Sequence, residues 1–123
     1  MKLLIADDDK TFCHLLSAEM GAKGWRVTIA ADAMQTIMYA LRVQPNVIVL
    51  DIQMPGGTGL TALKKLKAST KTSGIPVLVV SGSTEATMES TLVQAGAARY
   101  IAKPVDVESL RTAIEELARS TAS

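Results

Sequence analysis

Five short apolar runs alternate with five amphipathic stretches, and this alternation restricts the fold more than any other feature of the chain. The runs are Leu3-Leu4-Ile5-Ala6, Trp25 to Ile29, Val47-Ile48-Val49-Leu50, Val77-Leu78-Val79-Val80 and Tyr100-Ile101-Ala102. Between them Phe12/Leu15/Leu16, Met34/Ile37/Met38/Leu41, Leu60/Leu63, Met88/Leu92/Ala95 and Leu110/Ile114/Leu117 recur at helical spacing. Turn chemistry separates the pieces: Gly21 and Gly24 after the first helix, Pro45 after the second, Gly74 and Pro76 after the third, Gly96 after the fourth. Asp32, Thr58 and Asp106 stand where N-caps are expected. A strand followed by a helix, five times over, implies a parallel sheet covered by helices on both faces.

The strands are not equivalent. The first, third and fourth are continuously apolar, as strands buried on both faces should be. The second alternates, with Arg26 and Thr28 between Trp25, Val27 and Ile29, and suits an edge; the short fifth suits the other edge. These constraints select the order 2-1-3-4-5, the doubly wound (βα)5 arrangement of flavodoxin-like folds. One α/β domain over residues 1–119 accounts for the chain, with 120–123 expected as a frayed tail.

Composition narrows the function. Thirteen basic residues oppose 12 acidic ones, and a net charge of +1 supplies no field for gathering nucleic acid. The single Cys13 rules out a disulfide framework and suits a reducing, cytoplasmic setting. No apolar run approaches the about 18 residues of a membrane span, and Asp7 interrupts the first too early for a signal peptide.

In a sheet of this order ligands bind beyond the carboxyl ends of the strands, at the switch between the first and third. The first strand ends in Asp7-Asp8-Asp9, the third in Asp51, the fourth in Ser81 and the fifth in Lys103-Pro104. Asp7, Asp8 and Asp51 must therefore crowd together, while Asp9 suits a helix cap. Carboxylates about 5 Å apart repel by about 3 kcal/mol per pair at an effective dielectric near 20. Raised pKa values or a bound divalent cation would relieve this, and an all-oxygen donor set points to Mg2+ rather than zinc. The ammonium of Lys103 and the hydroxyl of Ser81 complete a site suited to receiving a phosphoryl group, whose equatorial oxygens carry negative charge.

Asp7-Asp8, then Asp51-Ile52-Gln53-Met54-Pro55 with Gly59, then Ser81-Gly82, Gly96-Ala97 and Lys103-Pro104 follow in order, each landmark near the end of the appropriate strand. Over essentially its whole length the chain resembles the receiver domain of two-component response regulators. The resemblance implies that Asp51 accepts phosphate from a phosphohistidine of a histidine kinase or histidine phosphotransfer protein. It implies Mg2+ held by Asp7, Asp8, Asp51 and the backbone carbonyl of Gln53. Lys103 would pair with Asp51 and aim through a cis Lys103–Pro104 bond, Ser81 and Tyr100 would form the switch, and Gln53 and Ser83 would set the phosphoryl lifetime. Two departures are mild: Ser81 replaces the commoner threonine, and Gly82 follows where alanine is usual. Phe12, beside the acidic loop, stands where the family meets its histidine-bearing partner, and core packing is the other reading of it.

A signalling switch that catalyses only its own phosphorylation and dephosphorylation is thus the leading expectation. It would signal through the face made by the fourth helix, fifth strand and fifth helix to an output protein, without membrane or nucleic acid. Ala98, Arg99 and Val105 depart from the charge pattern of dimerising transcription-factor receivers, so a mainly monomeric protein is expected. A Mg2+-dependent phosphatase or phosphotransferase with an aspartyl nucleophile is the alternative; such enzymes usually place that residue after the first strand and add a cap domain. A flavodoxin-like cofactor binder fits poorly, because Asp7-Asp8-Asp9 would repel phosphate where a cradle is needed. His14 and the basic run Lys64-Lys65-Leu66-Lys67 read as solvated surface, Cys13 as a groove filler, and the six methionines mostly as core.

Overall fold

The computed structural model describes residues 1–53, 59–82 and 88–121. Strands β1 (Lys2–Ala6), β2 (Arg26–Ala30), β3 (Val47–Asp51), β4 (Val77–Ser81) and β5 (Arg99–Ala102) alternate with helices α1 (Lys10–Ala22), α2 (Ala33–Val43), α3 (Gly59–Ala68), α4 (Met88–Gln94) and α5 (Val107–Thr121). All strand pairs are parallel, in the order β2-β1-β3-β4-β5. Every residue of β3 and β4 is buried, as is all of β1 beyond Lys2. Because side chains alternate along a strand, these apolar runs feed two cores at once. Leu4, Ala6, Ile48, Leu50, Val77 and Val79 meet Ala40, Leu63, Leu66 and Leu92 of α2, α3 and α4. Leu3, Ile5, Val47, Val49, Leu78 and Val80 meet Leu16, Met20, Leu110 and Ile114 of α1 and α5. Among the described residues no helix is long and apolar enough to cross a membrane.

The helix starts are capped as the sequence suggests. Asp9 accepts from the Phe12 N–H, Asp32 from Gln35 and Asp106 from Ser109, at 3.1, 2.8 and 2.8 Å. Thr58 lies outside the described residues. Other expectations are corrected. Gly21 belongs to the last turn of α1, and it is Gly24, at φ +88°, that turns the chain. At the end of α2 the left-handed position is taken by Gln44, at φ 52°, ahead of Pro45. β2 begins one residue late because the Trp25 N–H still bonds Met20 of α1, leaving Arg26 to open the ladder against Met1. α5 runs from Val107 to Thr121, with Ala118 packed in the core.

Two helices turn differently from their apolar spacing. On α1 the buried stripe is Cys13, Leu16 and Met20, and Leu15 points outward. On α2 the sheet takes Thr36 and Ala40, with Ala33 and Ile37 alongside, while Met34, Met38 and Leu41 face away. The methionines are accordingly not mostly core: Met1, Met34 and Met38 are exposed, and of those described only Met20 is buried.

Gly59 carries the tightest backbone approach. Its N–H donates to the Ile52 carbonyl at 2.8 Å, and a Cβ here would lie 2.6 Å from Cα of Ile52 and closer still to the Asp51 carbonyl oxygen. Backbone cannot yield as a flexible side chain can. Gly59→Ala is therefore expected to destabilise the fold by about 2 kcal/mol, within the range for overpacked sites, as read by urea unfolding; an unchanged midpoint would refute this close-packing argument.

Candidate functional site

The register of β1 against β3 sets Ala6 beside Leu50, so Asp7 and Asp51, one step on, emerge side by side. Ser81 ends β4 opposite Ala102 of β5, and the Lys103 N–H closes that ladder on the Ser81 carbonyl at 2.9 Å. Asp7, Asp51 and Ser81 are buried, whereas Asp8 is exposed. One carboxylate oxygen from each of Asp7, Asp8 and Asp51 lies within 4.8 Å of the other two.

Each buried carboxylate is held. Asp7 Oδ1 accepts from the Asp9 N–H at 2.9 Å, and its Oδ2 accepts from Lys103 Nζ at 2.9 Å. Asp51 Oδ1 accepts from the Gln53 N–H at 3.1 Å, and its Oδ2 stands 3.9 Å from Lys103 Nζ. The lysine thus bonds Asp7 directly and faces Asp51 at ion-pair range, where the sequence reading paired it with Asp51 first. Phe12 helps explain this: its ring lies 4.8 Å beneath Lys103 Nζ, drawing the ammonium towards the end of β1 by cation–π attraction. The ring also packs on the α1/α5 core, the second of the two readings of Phe12. Beside it Asp9, Phe12, Lys103, Pro104 and Val105 line an open hollow of about 420 Å³, and the Lys103–Pro104 bond is cis.

Burial is the chief cause that lifts the Asp51 pKa, from 3.8 to about 6. The Gln53 N–H opposes it, the Asp7 charge adds to it, Lys103 lowers it, and a hydrogen bond with Asp7 raises it again. For Lys103, burial works downward, but the Asp7 hydrogen bond and the charges of Asp7, Asp51 and Asp9 outweigh it and hold the ammonium protonated. Burial, with the Asp7 and Asp9 charges, pushes the Cys13 thiol up to about 11. Its Sγ–H is turned onto the Asp7 carbonyl at 3.3 Å, so it offers no thiolate. The donor set is hard oxygen only, which fits a magnesium-type ion retaining several waters and not zinc.

Of the other residues singled out in the sequence, Tyr100 sits half-buried in β5 against the core beneath α2, α3 and α4. Gln53 is exposed just past Asp51, and Ser83 lies outside the described residues. His14 is exposed. The contact that sequence reasoning missed is Lys103 with Asp7; the position of Lys103 at a strand end signals that it reaches the site, not which carboxylate it bonds.

Residues 3–115 match the family model of the response regulator receiver domain, and the chain belongs to that family. It is a receiver domain of two-component response regulators whose acidic pocket is Asp7, Asp8 and Asp51. Protein PilH of Pseudomonas aeruginosa is 34% identical over 109 residues, covering 89% of this chain and 90% of that protein. The probable transcriptional regulatory protein TcrX of Mycobacterium tuberculosis is 30% identical over 119 residues, 97% of this chain but 50% of TcrX. The chain thus spans about half the length of some of the curated relatives it matches. The crystal structure of a CheY-like receiver domain protein from Methanospirillum hungatei superposes with a TM-score of 0.91 at 27% identity, covering 98% of this chain and 94% of that one.

The raised Asp51 pKa has a signed consequence. Between about pH 4 and pH 6 the native state binds more protons than the unfolded chain, so stability falls as pH rises through that window. In metal-free buffer Asp51→Asn should melt at a higher temperature than the parent at about pH 7.5 and close to it at about pH 4.5. Equal shifts at both pH values would contradict the assignment of burial as the cause.

Proposed function

We propose that this receiver takes a phosphoryl group onto Asp51 from the phosphohistidine of a histidine kinase or histidine phosphotransfer protein. The observation that carries the reading is the convergence of Asp7, Asp8 and Asp51 with the Lys103 ammonium in ion-pair range of Asp7 and Asp51. An Asp51 carboxylate oxygen forms the new P–O bond while the P–N bond to the donor imidazole breaks. The imidazole leaves with the electron pair and takes a proton. Asp7, Asp8, Asp51 and the Gln53 carbonyl would hold Mg2+, which when bound supplies charge neutralisation for the phosphoryl oxygens. Lys103 is close enough to exchange its bond to Asp7 for a phosphoryl oxygen on Asp51, and Ser81 supplies a hydroxyl from the end of β4. The Phe12 hollow suits the approach of the donor helix.

On this reading the chain is a switch rather than a metabolic enzyme, catalysing only the gain and loss of its own phosphate. Its output would be protein binding at the α4–β5–α5 face, sensed through Ser81 and Tyr100. Arg99 on β5 pairs there with Glu116 of α5 at 2.9 Å, an exposed pair that departs from the acidic pattern of dimerising receivers and supports a mainly monomeric protein. A cytoplasmic setting and no direct nucleic-acid contact belong to the same proposal.

Intact-mass measurement after treatment with acetyl phosphate and Mg2+ is expected to show the gain of one phosphoryl group. The gain should be absent with chelator and in Asp51→Asn; a gain that survives Asp51→Asn overturns the assignment. Millimolar Mg2+ should also raise the melting temperature of the parent, an effect expected to vanish in Asp8→Asn. Since Asp8 is exposed, that variant should fold normally. Gln53→Ala is expected to change the dephosphorylation rate by about threefold or more, followed as the decay of the phosphorylated mass.

A further inference from the structure

The outer stripe of α2 has no role in the receiver chemistry. Met34, Met38 and Leu41 stand at i, i+4 and i+7 and are 79%, 41% and 43% exposed. They form one wall of a groove of about 480 Å³ between α2 and α3, with half-buried Ile37 and buried Ala62 beneath and Lys65 on the far side. Apolar residues in such a contiguous row mark a contact surface far more often than scattered ones do. A groove along a helix, walled by methionines that adapt to differing shapes, suits a helical occupant.

Charge decides which occupant. From residue 32 to residue 71 the chain carries Arg42, Lys64, Lys65, Lys67 and Lys71 against two acids: Asp32, whose carboxylate caps α2 by accepting from the Gln35 N–H, and Asp51, buried in the acidic pocket. Lys67 is spoken for, its ammonium donating to the Ser73 and Ile75 carbonyls. Lys65 lines the groove, and the exposed Arg42 and Lys64 adjoin its lining residues Leu41 and Lys65 in sequence. A second copy docked face to face would set cations against cations, so self-pairing across a two-fold axis is disfavoured. A concave cleft also presents less apolar surface to a flat bilayer than to a helix.

We propose that the α2–α3 groove docks an acidic amphipathic helix of a partner protein. Its apolar anchors would lie along Met34, Met38 and Leu41, and its flanking Asp or Glu residues would meet Arg42, Lys64 and Lys65. The groove lies under neither α5 nor β5, so it is a second contact surface, separate from the α4–β5–α5 face. It needs no phosphate, so it is tested on the unphosphorylated chain and does not share the fate of the phosphoacceptor reading.

The probe is a fluorescent designed helix of about 18 residues, leucine at i, i+4, i+7 and i+11 and glutamate on the flanks, titrated by anisotropy. Binding is expected, weakened about tenfold or more when lysine replaces the probe's glutamates. A similar loss is expected from Met34→Glu, whose exposed position leaves the fold intact, and from the Lys64→Glu/Lys65→Glu double variant. Amide chemical-shift changes should cluster on α2 and α3. No binding, equal affinity for acidic and basic probes, or shifts clustered elsewhere would overturn the proposal. So would a concentration-dependent dimer abolished by Met34→Glu, or sedimentation with phosphatidylglycerol vesicles that Met34→Glu abolishes, since each names a different occupant.

Discussion

The site depends on one electrostatic arrangement: two buried carboxylates at the ends of adjacent strands, with one lysine between them. At about 5 Å and an effective dielectric near 20 such a pair costs about 3 kcal/mol before burial is counted. The fold keeps it by three means on view here. Lys103 bonds Asp7 and faces Asp51, backbone N–H groups of Asp9 and Gln53 take one oxygen of each, and the Asp51 pKa rises. The positions are dictated by the apolar strands. With β1, β3 and β4 clamped between helices on both faces, their ends cannot relax apart.

That logic explains why so much was readable beforehand. A continuous apolar run followed by Asp or Ser states both that a strand is buried and that its carboxyl end is polar. Two such runs next to each other in a 2-1-3-4-5 sheet bring Asp7 and Asp51 together without further information. What strand ends cannot state is how a long side chain bends. Lys103 has four methylenes, several acceptors within reach, and an aromatic ring on α1 to rest on. Both its partners on this side, Asp7 and the Phe12 ring, are far from it in sequence.

Helix orientation was the less legible half. Ala33, Ile37 and Ala40 lie on one side of α2, and Met34, Met38 and Leu41 on the neighbouring side. Periodicity sees a single broad apolar face. The sheet chooses the small residues, because Thr36 and Ala40 let the helix sit close. The large flexible residues are left facing outward beside α3. On α1 the buried stripe joins Cys13 to the large Leu16 and Met20, and Leu15 is exposed.

The polar ends of the strands are also where the helices are fastened. The Gly59 N–H bonds Ile52, and Gly59 itself lies against the Asp51 carbonyl, so α3 starts in contact with the strand end that carries Asp51. On the other side the Lys103 N–H bonds Ser81, tying β5 to the end of β4. A change of charge at Asp51 therefore acts on backbone in two directions, towards α3 and towards β5. The close contact at Gly59 leaves no slack for a shift to be absorbed locally. Lys103 stands between Asp7 and Asp51, within ion-pair range of both. Lys103 follows directly on β5, so its two carboxylate partners at 2.9 and 3.9 Å join the ends of β1 and β3 to the end of β5.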